Sequence, residues 1–233
     1  MRTFIYRDEL LNGEVITLDS KESKHLFKTL RAKAGDVVEI MNCQGQHALG
    51  EVQQNKTLLL SDVVHEQEPK TKVHLFVAPP KKNSMDQMLK QLAEVGVWEV
   101  IPIITKRSVS TPHKDSTFAR WETLLEEGCK QAKNYFLPKI HKPISFSAAV
   151  NLAVSQGLTN VYGATKCSKS NLAANLSNIA WFIGPEGGFT DEEEALMESS
   201  NFIAMKLGDT IMRVETAAVV GSAILRNQLM NLN

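Results

Sequence analysis

From residue 72 onward, short apolar runs alternate with stretches in which apolar residues return every third or fourth position. Residues 73–78 form a mostly apolar run ending at Pro79 and Pro80, which predicts a buried strand with an exit loop over 79–83. Met85, Met88, Leu89, Leu92 and Ala93 follow at helical spacing. Ser84 and Gln87 give that helix a capping-box start, and Gly96 gives it a stop. Residues 97–104 predict the next strand. Phe118, Trp121, Leu124, Leu125 and Cys129 mark a second helix, and residues 146–155, closed by Gly157, a third. Residues 160–163 predict another strand, with Ala164, Thr165 and Lys166 as its exit loop, while 171–177 carry no pattern. Alternation of this kind predicts an α/β unit on a mostly parallel sheet.

Before residue 72 the pattern is different. Residues 15–18, 37–40 and 57–60 are short β-rich runs, punctuated by turn signals at Gly35-Asp36 and Gln44-Gly45. One helix is predicted over 23–30, with Leu26, Phe27 and Leu30 turned inward. The pattern breaks around 66–71, at Pro69, so two domains are expected, 1–69 and 72–233.

Two further strand–loop–helix passages close the chain. A strand over 180–183 runs into Gly184-Pro185-Glu186-Gly187-Gly188, after which Thr190 and Glu193 form a capping box. A second strand, 203–207, ends at Leu207-Gly208. Ile211 and Met212 then lie in a loop although apolar, and Arg213 and Glu215 flank a helix whose face is Ala217, Ala218, Val220, Ile224 and Leu225. Ligands of α/β folds sit beyond the carboxyl ends of strands, so two such ends in succession predict one site. Gly184, Gly187 and Gly188 permit positive φ and close backbone approach. No Gly-Lys-Ser/Thr follows and no Gly-x-Gly-x-x-Gly is present, which argues against a nucleotide triphosphate or dinucleotide loop. Glu186, with Asp191, Glu192, Glu193 and Glu194 behind it, would repel a polyphosphate, so a neutral or cationic ligand is expected. Apolar side chains beside free backbone groups suit an adenine ring. Gly187→Val is expected to abolish ligand binding with the fold kept, because its Cβ would enter the ligand's space.

Gly-Pro-Glu-Gly-Gly-Phe-Thr-x-x-Glu, followed about 20 residues later by Leu-Gly-x-x-Ile-Met-Arg-Val-Glu-Thr-Ala, resembles the RsmE family. The run from Lys24 to Asp36 is similar to that family's N-terminal domain, so the resemblance covers nearly the whole chain. It implies an α/β protein with an N-terminal PUA-like β-barrel that holds RNA and a C-terminal SPOUT domain tied in a trefoil knot. It also implies transfer of a methyl group from S-adenosylmethionine to N3 of a uridine in 16S ribosomal RNA, by a cytoplasmic homodimer that needs no metal. The implied cofactor residues are Gly163, Ala164, Gly184, Pro185, Glu186, Gly187, Leu207, Gly208, Ile211, Met212, Thr216 and Ala217. Arg213 is the candidate cation that would stabilise a uracil anion, and Glu215 a candidate base. An Arg213–Glu215 pair that only fixes the loop is the competing reading. Arg2, Arg7, Lys24, His25, Lys28 and Arg31 are the implied RNA contacts. The chain departs from the family at Asn134, Tyr135 and Phe136, where an Arg-Asn-Arg-like segment is usual, at Gln91, where Lys is usual, and at Val214 within the Arg-Thr-Glu-Thr signature.

Charge modifies this picture. The chain is neutral overall, and residues 1–69 hold 8 Lys/Arg against 11 Asp/Glu. Lys21, Lys24, Lys28, Arg31 and Lys33 nevertheless cluster, which suits either phosphate contact or a solvated helix face. Lys130 and Lys133, interleaved with Tyr135 and Phe136, suit either stacked bases or an anchored helix end. Cys43, Cys129 and Cys167 lack Cys-x-x-Cys spacing, and the six histidines lack metal-ligand spacing. No run approaches the roughly 18 apolar residues of a membrane span. A non-catalytic RNA-binding or assembly protein remains an alternative, with a nucleotide hydrolase less favoured. Binding of S-adenosylmethionine discriminates them.

Overall fold

A computed structural model describes residues 1–165, 167 and 178–230. Lys166 of the third exit loop and the patternless stretch 171–177 lie outside them. The chain forms two compact units. One is Met1–Glu68 with Cys129–Leu137, the other Pro69–Gly128 with Pro138–Asn233.

The first unit is a five-stranded sheet curled round its own core. Its strands are β1 (Thr3–Ile5), β2 (Val15–Ile16), β3 (Val37–Met41), β4 (Gln46–Val52) and β5 (Leu58–His65), in the order β1-β3-β4-β5-β2. β3, β4 and β5 pair antiparallel, and β1 joins β3 in parallel. Along β4 every second residue is buried, the period of a strand with one covered face. Phe4, Leu10, Ile16, Leu26, Ile40, Leu58 and Leu60 fill the core. The helix expected over 23–30 is two pieces. α1 (Ser20–Ser23) is capped by Asp19, and a π-helix follows over Lys24–Thr29, closed by the Leu30 N–H on the His25 carbonyl at 3.0 Å.

Two carboxylates are buried in this unit, and residues from the middle of the chain neutralise them. Glu22 is 4% exposed and faces Lys130 at 2.8 Å. Glu39, also 4% exposed, accepts from Thr3 at 2.6 Å and from the Tyr135 hydroxyl at 2.9 Å, and pairs with Lys133 at 3.2 Å. Tyr135 stacks on His47 with centroids 3.9 Å apart, and the Phe136 ring covers Gly45, where a Cβ would stand 2.6 Å from it. The lysines and aromatics of 130–136 are therefore engaged within the protein, as an anchored segment would have them.

The second unit is organised on a parallel sheet. It contains β6 (Lys72–Val77), α2 (Lys82–Val95), β7 (Glu99–Ile104), α3 (Asp115–Ala132, whose last residues belong to the first unit), β8 (Lys139–Ile140) and β9 (Ile144–Ser145). Then come α4 (Phe146–Ser155), β10 (Thr159–Gly163), β11 (Asn178–Ile183), α5 (Asp191–Ser199), β12 (Ile203–Met205) and α6 (Val214–Met230). The strand order is β12-β10-β11-β6-β7-β8, with β9 also on β7. Phe76 and Phe182 stack at 4.3 Å in its core, among Ile101, Phe146, Tyr162 and Phe202.

Helix ends show where local signals held. Thr190 and Glu193 make a complete capping box on α5, and Gly96 ends α2 with φ of 79°. The expected Ser84–Gln87 box does not form. α2 starts at Lys82 with no side-chain cap, and the Ser84 hydroxyl instead donates to Glu215 at 3.1 Å. At the other end of α2 the Arg226 guanidinium donates to the Val95 carbonyl, so α6 is tied to α2 at both ends. The buried face of α6 is Val214, Ala218, Gly221, Ser222 and Leu225. Ile224, expected on it, is 37% exposed, because Gly221 must face Trp181, whose ring an added Cβ would meet at 2.4 Å.

Candidate active site

Register brings three strand ends to one level. Gly163 of β10 lies opposite Met205 of β12, Tyr162 lies opposite Phe182 of β11, and Ile183 lies opposite Val77 of β6. The loops leaving β10, β11 and β12 therefore emerge side by side, and a cleft of about 670 Å³ opens between them, within the size range of small-molecule sites.

The glycine loop forms the first wall. The Gly188 N–H bonds the Pro185 carbonyl at 2.8 Å, and Gly188 takes a φ of 70° that other residues rarely adopt. Gly184 and Gly187 do not use positive φ. Gly184 is in close contact instead, since a Cβ there would stand 3.2 Å from the Phe189 ring and press on it. A Cβ on Gly187 would point at Arg107, 3.3 Å from its Cδ. The expectation that Gly187→Val would act by filling ligand space is thus corrected: the side chain would first displace Arg107.

The loop after β7 braces this wall. The Arg107 Nη1 donates to the carbonyls of Gly187 at 2.8 Å and Phe189 at 3.0 Å. The Lys106 N–H donates to one Glu193 oxygen at 2.9 Å, and the Thr190 N–H to the other at 2.9 Å. Thr190 holds the Glu192 carboxyl below its ordinary range by a hydrogen bond, with smaller help from Lys106 and Arg107. Behind β10, burial and then Glu198 push the Tyr162 hydroxyl up to about 12, so it stays a neutral donor to Glu198 at 3.4 Å.

The second wall is the loop from Leu207 to Val214. Leu207, Gly208, Ile211, Met212, Arg213 and, from α6, Ala217 line the cleft with Gly163, Ala164, Gly184, Pro185, Glu186 and Gly187. Thr216 and Glu215 are not in its wall, and Glu215 is engaged by Ser84. No ion pair joins Arg213 to Glu215 among the described residues, so the loop-fixing pair does not form. Ile211 is 85% exposed at the rim. Thr165 of the exit loop after β10 and the acidic Asp191 and Glu194 also line the cleft, as do Arg107 and Lys206, which escaped the sequence reading. The signal for Arg107 was present: it stands just past a strand's carboxyl end, as the two glycine loops do.

The RNA candidates lie in the first unit. Arg2, Arg7, Lys24, His25, Lys28 and Arg31 are all exposed. His25 rests its ring near Phe4 at 5.6 Å, and Arg31 takes a φ of 57° just beyond the π-helix. Among the described residues no group of His, Cys, Asp or Glu could hold a metal, and no helix is long and apolar enough to cross a membrane.

Residues 66–226 match the family model of an RNA methyltransferase domain. The ribosomal RNA small subunit methyltransferase E of Mesomycoplasma hyopneumoniae is 30% identical over 167 residues, covering 71% of this chain and 74% of that protein. The protein of the same name from Synechocystis is 26% identical over 217 residues, covering 89% and 71%. The fold is that of the Neisseria gonorrhoeae ribosomal RNA small subunit methyltransferase E bound to S-adenosyl methionine, with a TM-score of 0.86 over 97% of each chain at 22% identity.

Proposed function

Since the chain belongs to the ribosomal RNA small subunit methyltransferase E family of RNA methyltransferases, we propose that it transfers a methyl group from S-adenosylmethionine to N3 of a uridine in 16S ribosomal RNA. The observation that carries this reading is the single cleft that the loops after β10, β11 and β12 enclose. Its walls fit the cofactor. Ile183, Met205, Met212 and Ala217 offer apolar surface for an adenine. Glu186, Asp191 and Glu194 favour a cationic ligand, and the glycine loop lacks the lysine a triphosphate would need. When bound, the sulfonium supplies an already activated methyl group.

The chain's own work is alignment and charge. Arg213 stands in the cleft wall at the start of α6, where a guanidinium stabilises a uracil that has lost its N3 proton. Glu215 is the candidate base. Glu215 lies outside the cleft wall and accepts from Ser84, whereas Arg213 lines the cleft, so Arg213 is the stronger candidate of the two. Thr216, exposed on the first turn of α6 and outside the cleft wall, stands next to Ala217, which lines it. The exposed Arg2, Arg7, Lys24, His25, Lys28 and Arg31 are the proposed phosphate contacts. A PUA-like barrel in 1–69, a trefoil knot in 72–233, a cytoplasmic setting and a homodimer complete the proposal.

The test is a methylation assay on small ribosomal subunits lacking the modification, with the product uridine identified by mass spectrometry. N3-methyluridine formed with wild type and reduced at least about 100-fold by Arg213→Ala is the expected result. Methyl transfer to another atom, or none, would overturn the reading and leave an RNA-binding protein that keeps the fold.

A further inference from the structure

Arg107 is outside every motif that the two loops carry, yet it lines the cleft and bonds one of its walls. Its guanidinium reaches across 80 and 82 residues to two carbonyls of one short loop. Those carbonyls bracket Gly188, the loop's positive-φ residue. A loop with three glycines in five positions has little conformational preference of its own and loses much entropy on ordering.

The bonding around Arg107 removes that freedom in one sense only. The Gly187 carbonyl is turned to the guanidinium, and the Gly188 N–H of the same peptide goes to Pro185. The Phe189 carbonyl is likewise turned to Arg107, and the Thr190 N–H of that peptide goes to Glu193. Both peptide units are thereby fully engaged on the protein side. The N–H groups of Glu186 and Gly187 have no protein partner among the described residues, and both residues line the cleft. The side-chain stem of Arg107 lies against Gly187 so closely that a methyl group there would touch its Cδ at 3.3 Å. The two Nη1 bonds and the stem together hold the loop against Arg107.

We infer that Arg107 is a positioning residue of the cofactor site, which sets the glycine loop in its binding conformation before the ligand arrives. The inference rests on the S-adenosylmethionine reading above. A guanidinium suits this role because it is planar and rigid: the two N–H groups of Nη1 point in fixed directions, one to each carbonyl, whereas a lysine ammonium rotates freely on a flexible stem. Preorganisation of this kind raises affinity by lowering the ordering cost on binding.

Calorimetric titration of the full chain with S-adenosylmethionine separates this inference from its premise. Absence of saturable binding to the wild type would count against the cofactor reading itself. With the wild type binding, Arg107→Ala is expected to weaken the dissociation constant about tenfold, the equivalent of losing a charge-assisted hydrogen bond. Arg107→Lys, which keeps the charge but not the rigid planar head, should fall between the two. Gly187→Ala should weaken binding several-fold in the wild-type background and add little to Arg107→Ala, because the contact it disturbs is already gone. The melting temperature should stay near that of the wild type in each case, as Arg107 is exposed. The inference is overturned if Arg107→Ala binds as tightly as wild type, if Arg107→Lys is indistinguishable from wild type, or if the two substitutions act additively.

Discussion

At Glu99, burial and hydrogen bonding oppose each other, and hydrogen bonding wins. Burial pushes the carboxyl up, but His141 and His74 donate to its two oxygens at 2.6 Å each and hold it at about 2. The folded value is below the ordinary one, so the unfolded chain binds the proton more readily. The stabilisation is present above about pH 4.5 and is lost as pH falls toward about 2. Glu99→Gln should lower stability at pH 7 by on the order of 2 kcal/mol and flatten the acid side of the stability profile. Urea melts at pH 7, 4 and 3 would decide it. An acid slope identical to wild type would sink the assignment. Nothing in the sequence singled out this cluster, because His74, Glu99 and His141 stand on three different segments with no motif spacing. Gly187 carries the same lesson. Its residue type was legible, but what its missing side chain leaves room for, the stem of Arg107, comes from a loop 80 residues away.

Among elements, α2 and α6 show how far local signals reach. The helical spacing of 85–93 and the stop at Gly96 were readable, because a helix is made of contacts three and four residues apart. The start was not. Ser84 has the chemistry of a cap but is drawn to Glu215, 131 residues away, and α2 begins two residues earlier. At the far end a Cβ on Gly96 would stand 1.5 Å from the Arg226 guanidinium, in addition to its φ of 79°. Gly96→Ala should therefore lose more than the roughly 1 kcal/mol of a left-handed position alone. Arg226→Ala, which leaves the Val95 carbonyl unpaired, should cost about 1–3 kcal/mol. Both are read as a lower urea midpoint with an unchanged slope. A midpoint within error of wild type for Arg226→Ala would show that the tie between α2 and α6 is not a stabilising one.

On the scale of the whole molecule, residues 129–137 complete a unit that begins 128 positions earlier. Lys130 faces Glu22 with side chains 17% and 5% exposed, so Lys130→Ala leaves a buried carboxylate without its partner and should cost about 3 kcal/mol. Adding Glu22→Gln should recover much of the loss, and full additivity of the two would refute the pairing. A fragment of residues 1–69 alone lacks Lys130, Lys133 and Tyr135, and is expected to melt well below the full chain or without a cooperative transition. By itself the sequence determined the parallel α/β plan, the two glycine-ended loops and the family, because these rest on short-range periodicity, strand-end chemistry and motifs of about ten residues. Tertiary structure alone decided which buried acids are neutralised, what packs against Gly187, and that Arg107 braces the site. Those depend on groups brought together across 80 or more residues, where sequence spacing carries no record of distance.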